Sequence, residues 1–109
     1  MRHVATTLLV ILMAAFAAEA SPQSDEAREV HGARVYREQK CQACHSIEGV
    51  GNRRFPLDGV GAKLPVADIR KWIVAPREMN PRVRKKAYDK LAQRDLEALV
   101  AYLKGLRKK

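Results

Sequence analysis

The most constraining feature of this chain is the five-residue segment Cys41-Gln42-Ala43-Cys44-His45. It contains the only two cysteines among the 109 residues. In an oxidising compartment two cysteines usually form a disulfide, but a bridge that closes so short a loop stabilises a fold only weakly. A redox-active Cys-x-x-Cys pair is expected within a βαβ pattern, and the sequence around this one shows none. The segment therefore favours a third use of the two thiols.

Two thiols at this spacing are suited to a covalent prosthetic group. Each thiol can add to one of the two vinyl groups of a haem, and a histidine directly after the second thiol then lies next to the iron. Cys41 and Cys44 have this spacing, and His45 follows them. The sequence predicts one covalent haem c, with Cys41 and Cys44 as its thioether attachments and His45 as the proximal iron ligand.

The first twenty residues have the pattern of a signal peptide. The positive charge of Arg2 precedes an almost wholly apolar run from Val4 to Ala18, and Ala18-Glu19-Ala20 supplies small residues at the cleavage positions. A membrane-spanning helix needs roughly 20 apolar residues, and this run is shorter. We therefore expect export to the periplasm after cleavage, no stable membrane anchor, and a single domain at residues 21–109.

Apolar periodicity in the mature part predicts three main helices and no strands. The first spans residues 24 to about 39, with acidic residues in its first turn. The second has Pro65 as its first helical residue and stops at Pro76. The third starts near Ala92 and has one apolar stripe. The long loop over residues 46–64 is reasonable in so small a domain if it is wrapped around a cofactor.

The chain resembles class I cytochromes c over almost the whole mature sequence. The likeness is carried by Gly32 to Tyr36 followed by Cys41 to Ile47, by Phe55 to Gly61, and by Leu96 to Leu103. It implies an all-α, cytochrome c-like domain with long loops around one covalent haem. It also implies that Gly32 and Tyr36 of the first helix cross the last helix at Tyr102. Finally, it implies that the backbone carbonyl of Pro56 accepts a hydrogen bond from Nδ1 of His45.

The sixth iron ligand stays open at this point. The family supplies a methionine ahead of its last helix, and that methionine would fall at position 85, which is a lysine here. Met79 is the only methionine of the mature chain, and a thioether suits haem iron. Lys85 or Lys86 is the second candidate, and either must first lose a proton. An open or water-bound position is the third. Trp72 is expected to pack against the haem.

The net charge of the chain indicates the kind of partner that it binds. The net charge is +9, and residues 70–90 contain eight Lys or Arg against two acidic residues. Such a surface affects encounter rates rather than the fold. We expect the basic run from Arg82 to Lys86 to dock an acidic redox partner. Nucleic-acid binding fits the charge but does not fit an exported haem domain.

These features favour an electron carrier over an enzyme. No nucleophile, general base or substrate pocket is visible in the sequence, and the haem would perform the one-electron chemistry. We expect a monomer or a subunit of a larger redox complex. An open sixth position would instead favour a ligand-binding sensor or a weak peroxidase.

Overall fold

Three long helices form the frame of the domain. The computed structural model describes residues 22–108. It contains α1 at Pro22–Glu38, a 3-10 helix at Cys41–Ala43, α2 at Val60–Lys63, α3 at Val66–Val74, α4 at Pro76–Met79 and α5 at Gln93–Lys104. The prediction of a small all-α domain with three main helices is confirmed. The signal peptide predicted at residues 1–20 lies outside the described residues. No helix within 22–108 is long and apolar enough to cross a membrane.

Helices α1 and α5 cross at a glycine. A Cβ atom on Gly32 would overlap with the carbonyl oxygen of Ala98 and would lie 2.6 Å from Cβ of Tyr102. One turn further along α1, the rings of Tyr36 and Tyr102 meet edge to face with centroids 5.8 Å apart. The predicted crossing of Gly32 and Tyr36 with Tyr102 is therefore confirmed.

A histidine links the same two helices. Nε2 of His31 lies 2.7 Å from Oδ1 of Asp95, and only 17% of the His31 side chain is exposed. Nη2 of Arg34 donates to Nδ1 of His31 at 3.3 Å. Because Nδ1 accepts this bond, Nε2 carries the ring proton and donates it to Asp95. His31 therefore links α1 to α5.

The apolar core lies where α1, α3 and α5 meet. Its buried side chains recur at helical intervals, so that each helix turns one stripe inward. They are Val35 and Tyr36 of α1, Ile69 and Ile73 of α3, and Leu96, Leu99, Val100 and Leu103 of α5. Nζ of Lys104 donates to the carbonyls of Gly61 and Leu64 at 2.9 and 3.0 Å, which ties the end of α5 to α2.

A small three-stranded sheet follows the 3-10 helix. The central strand, β1 at His45–Ile47, pairs with β2 at Val50–Gly51 in antiparallel and with β3 at Phe55–Pro56 in parallel orientation. The prediction of no strands was wrong here. Strands of two or three residues are too short to show the alternation from which a strand is predicted.

The prolines bound α3 much as the sequence indicates. Pro65 lies one position before the first helical residue, as the N-cap of α3, rather than inside the helix. Ala75 ends α3, and Pro76 then begins α4. A proline suits the first turn of a helix because its missing N–H would have no partner there. The predicted stop at Pro76 is therefore correct, but the same residue also starts a short new helix.

Replacing Gly32 by alanine should destabilise the domain, because the added methyl group must push α5 away from α1. Overpacking of this kind costs about 1–3 kcal/mol in the free energy of unfolding. Denaturant unfolding of the purified protein measures this loss. Val30→Ala, on the same helix at a side chain that is 66% exposed, is the control. Equal stability of Gly32→Ala and the parent would show that the two helices can separate without cost.

Candidate functional site

The chain turns sharply between α1 and the two cysteines. Lys40 adopts the left-handed conformation, with φ 57° and ψ 37°, directly before Cys41. The 3-10 helix follows, and the amide of Cys44 donates to the carbonyl of Cys41 at 3.1 Å. Cys41 is half-buried against the apolar core, whereas Cys44 is exposed. Both cysteines are free rather than joined in a disulfide.

The pairing of β1 with β3 sets the orientation of His45. The register places His45 opposite Phe55 and Ser46 opposite Pro56. Nδ1 of His45 donates to the carbonyl oxygen of Phe55 at 2.9 Å. The sequence predicted the carbonyl of Pro56 as this acceptor, and that prediction was one residue too late. The reason is the strand register, in which the amide of Leu57 donates to the carbonyl of Ser46 at 2.8 Å.

This hydrogen bond fixes which ring nitrogen of His45 is protonated. A carbonyl oxygen only accepts, so Nδ1 carries the proton of the neutral ring and Nε2 keeps its lone pair. A metal-ligating histidine commonly donates its other N–H to a carbonyl or carboxylate in this way. The Phe55 carbonyl therefore leaves Nε2 of His45 as the nitrogen that is free to bind a metal ion.

The loop after β1 is held against the two cysteines. Gly51 has φ of 105°, and a Cβ atom there would overlap with the carbonyl oxygen of His45. The amide of Asn52 donates to the carbonyl of Gln42 at 3.0 Å, and its side-chain Nδ2 donates to the carbonyl of Ala43 at 3.1 Å. Glycine at position 51 allows this close return of the chain, so β2 supports the segment that carries both thiols.

Burial and the charge of one lysine shift the pKa values of the side chains at this site. Burial raises the pKa of the Cys41 thiol, and the ammonium of Lys85 opposes this shift. Burial lowers the pKa of His45, the hydrogen bond to Phe55 opposes the shift, and Lys85 adds to it. Burial also lowers the pKa of Lys85, and the two cysteines oppose this shift. Lys85 therefore lies within electrostatic reach of Cys41, Cys44 and His45.

The other side chains predicted for the site are less closely connected to it. Trp72 and Met79 are each half-buried, on α3 and at the end of α4. Neither belongs to the buried apolar core. A cavity of about 410 Å³ lies between α4 and residues 84–87. Lys85 forms part of its wall, whereas His45 and the cysteines do not, so this cavity is beside the site rather than at it.

One buried polar atom near the cysteines lacks a partner among residues 22–108. It is the hydroxyl of Tyr36, which makes no hydrogen bond to any residue in that range. Burial raises the pKa of Tyr36 to about 12, with smaller contributions from Cys41, Tyr102 and Asp58. A buried hydroxyl usually has a partner, because leaving one unpaired costs about 1–3 kcal/mol. The Tyr36 hydroxyl is thus a donor near Cys41 that a bound group can satisfy.

Comparison with known proteins identifies the domain. The family model of cytochrome c matches residues 29–107, which is most of the chain. The chain belongs to the cytochrome c family. This cytochrome c domain is also 28% identical over 85 residues to cytochrome c oxidase subunit 2 of Alkalihalophilus pseudofirmus. The match covers 70% of the chain and 25% of that protein, so the chain spans about a quarter of the relative's length. No solved structure matches it significantly.

Family membership makes this a haem electron-transfer domain, and the described residues fit a covalent haem. Cys41 and Cys44 supply two free thiols, and the hydrogen bond from His45 leaves Nε2 available for iron. Apolar surface is available beside them, since Phe55 is 54% and Val50 is 74% exposed. The ring centroids of His45 and Phe55 lie 6.3 Å apart. In this cytochrome c, Cys41 and Cys44 would hold the haem and His45 would bind its iron.

Sequence reasoning missed two contributors to the site. Phe55 was not distinguished from its neighbour Pro56, because only the strand register decides which carbonyl faces His45. Tyr36 was assigned to the helix crossing, and nothing in the sequence shows that its hydroxyl lacks a partner. Both depend on the folded backbone. The only sequence signal for this hydroxyl is that position 36, in the core, is tyrosine rather than phenylalanine.

In the haem-loaded parent, we expect a bound group to satisfy the Tyr36 hydroxyl. Replacing Tyr36 by phenylalanine removes this hydrogen bond and should lower the free energy of unfolding by about 1–3 kcal/mol. Thermal unfolding followed by the haem absorbance measures the difference. Tyr102→Phe is the control, since Tyr102 is only partly buried. If Tyr36→Phe were instead more stable than the parent, the hydroxyl would be unsatisfied in the loaded protein as well.

Proposed function

We propose that this chain is an exported monohaem c-type cytochrome that carries one electron at a time between redox partners. The observation that carries the proposal is the hydrogen bond from Nδ1 of His45 to the Phe55 carbonyl, beside two free cysteines. It prepares a single histidine as an iron ligand. Only one Cys-x-x-Cys-His segment occurs in the sequence, which supports one haem.

The residues of the chain have distinct roles in this function. When bound, the haem supplies reversible one-electron exchange at its iron. Cys41 and Cys44 retain the haem through covalent bonds, so that it is not lost between partners. The carbonyl of Phe55 holds the His45 ring in one orientation and one tautomer. A ligand held in this way needs little rearrangement when the charge on the iron changes.

A haem domain within a larger redox assembly is a second candidate function. The specific observation in its favour is the similarity to cytochrome c oxidase subunit 2, of which the chain covers 25%. In that case the same site would pass electrons within a complex. A free carrier and a complex subunit differ in their association state, so gel filtration of the protein purified from its native source separates them.

Removing both attachment cysteines should abolish covalent haem. In Cys41→Ala/Cys44→Ala no thiol is left to form a thioether, so the haem should separate from the chain on denaturation. Mass spectrometry and the haem absorbance of the denatured protein measure retention. The parent should keep one haem per chain and undergo reversible one-electron reduction in a voltammetric cell. A parent that loses its haem on denaturation, or takes up two electrons per chain, contradicts the proposed function.

The basic segment at residues 82–86 supports docking of an acidic redox partner. Arg82, Arg84 and Lys86 are exposed, whereas Lys85 is half-buried. Exposed like charges steer an oppositely charged partner over about one Debye length, roughly 10 Å at 0.1 M salt. Such steering raises the association rate more than the affinity. We propose that the three exposed cations guide an acidic partner toward the haem site.

Neutralising Arg82, Arg84 and Lys86 together with glutamine should slow electron exchange with anionic reagents. We expect oxidation of the reduced protein by hexacyanoferrate(III) to slow about tenfold at low salt. The difference should shrink as salt is added, because screening removes the steering. Stopped-flow absorbance measures the rate.

The matched control removes three charges elsewhere. Lys63, Arg107 and Lys108 are exposed near the end of α5, and their triple glutamine variant changes the net charge equally. It should have a much smaller effect on the same rate. Equal slowing by the two triple variants would show that only net charge matters, and would remove the docking role of residues 82–86.

A further inference from the structure

We propose that Lys85 is the sixth ligand of the haem iron, on the side opposite His45. This inference rests on the proposed attachment of one haem through Cys41 and Cys44. It adds the identity of the second axial ligand, which the family membership does not supply for this chain.

The first support is where Lys85 lies. Its segment runs to Tyr88, whose hydroxyl donates to the carbonyl of Gln39, two residues before Cys41. The electrostatic interaction of the Lys85 ammonium with Cys41, Cys44 and His45 agrees with this position. The flanking Arg84 and Lys86 are exposed, whereas Lys85 is half-buried. Within the segment 82–86, Lys85 is therefore the cation that is turned away from solvent.

The second support is how the backbone near Lys85 is anchored. The amide of Tyr88 donates to the carbonyl of Ile73 on α3 at 2.9 Å. Its hydroxyl donates to the carbonyl of Gln39 at 3.4 Å, two residues before Cys41. Nζ of Lys85 donates to the carbonyl of Lys86 at 3.2 Å and lies 4.9 Å from the centroid of the Tyr88 ring. Tyr88 thus ties the segment that carries Lys85 to both α3 and the end of α1.

The competing donors are less well placed. His31 is already engaged with Asp95 and Arg34. Met79 lies at the end of α4, whose main packing partner is α3. The adjoining turn is closed by a hydrogen bond from the amide of Asn80 to the carbonyl of Pro76 at 3.0 Å. Nothing in the described structure ties Met79 to the cysteines in the way that Tyr88 ties Lys85.

Binding of Lys85 to the iron would require the lysine to lose one proton and the iron to lose one bound water. The ammonium of Lys85 releases one proton to solvent, and the neutral amine donates its lone pair to the iron. A water molecule bound at the sixth position leaves as the iron–nitrogen bond forms.

The test is the absorption and electron paramagnetic resonance of the oxidised, haem-loaded protein. We expect a low-spin haem without the long-wavelength sulfur-to-iron band, because both axial ligands are nitrogens. Lys85→Met should remain low-spin and gain that band. Lys85→Ala should become high-spin, and its reduced form should bind carbon monoxide at least about tenfold more tightly than the parent, since no side chain competes.

Two control variants separate Lys85 from its neighbours. Lys86→Ala removes a lysine whose Nζ lies at a similar 5.1 Å from the Tyr88 ring and should leave the spectra unchanged. Met79→Leu should also leave them unchanged. A sulfur band in the parent that disappears in Met79→Leu would assign the ligand to Met79 and overturn the proposal. A high-spin parent would overturn it in favour of an open position.

These outcomes are distinguishable from failure of the proposed function. The proposed function fails if no haem is covalently retained, which mass spectrometry shows before any spectrum is recorded. If haem is retained and Lys85→Ala has the same spectrum as the parent, only the ligand assignment fails. Lys85→Met guards against a variant that does not fold, because it restores a ligand at the same position.

Discussion

The close contact between Gly32 and the carbonyl of Ala98 is the constraint on which the rest of the domain depends. It limits the distance between α1 and α5, and so positions the last turn of α1 relative to the core. The left-handed residue Lys40 then turns the chain into the 3-10 helix that carries the two cysteines. Every later feature of the site is built from this point. A larger residue at position 32 would therefore displace the site as well as the core.

The small sheet orients the His45 side chain. Its three strands are short, and their main effect is to set one register, in which Phe55 lies opposite His45. A shift by one residue would offer His45 a different carbonyl and would turn each strand residue to the other face. Gly51 and Asn52 hold β2 against the cysteines, which opposes such a shift. The orientation of one imidazole is thus specified by contacts over about a dozen residues of loop.

The features that could be predicted from the sequence are those set by residues close together in the chain. The three main helices, their apolar stripes and the Cys-x-x-Cys-His segment are local patterns, and these were predictable. The crossing at Gly32 was implied by the resemblance to class I cytochromes c, and the cost of about 1 kcal/mol for a glycine inside a helix agrees with it. The acceptor for His45 was missed by one residue, and the strands were missed altogether. Both follow from pairing between segments, which no local pattern records.

The segment from Arg82 to Tyr88 combines two opposite requirements in seven consecutive residues. Docking a partner requires charges that stay in water, whereas ligating a metal requires a side chain that has left it. Exposed Arg82, Arg84 and Lys86 suit the first requirement, and half-buried Lys85 suits the second. Tyr88 makes the division possible, because its bonds to Ile73 and Gln39 fix which side of the segment faces inward. A partner that docked on the exposed cations would lie against the segment that carries Lys85, so the proposed docking surface and the proposed iron ligand would be neighbours.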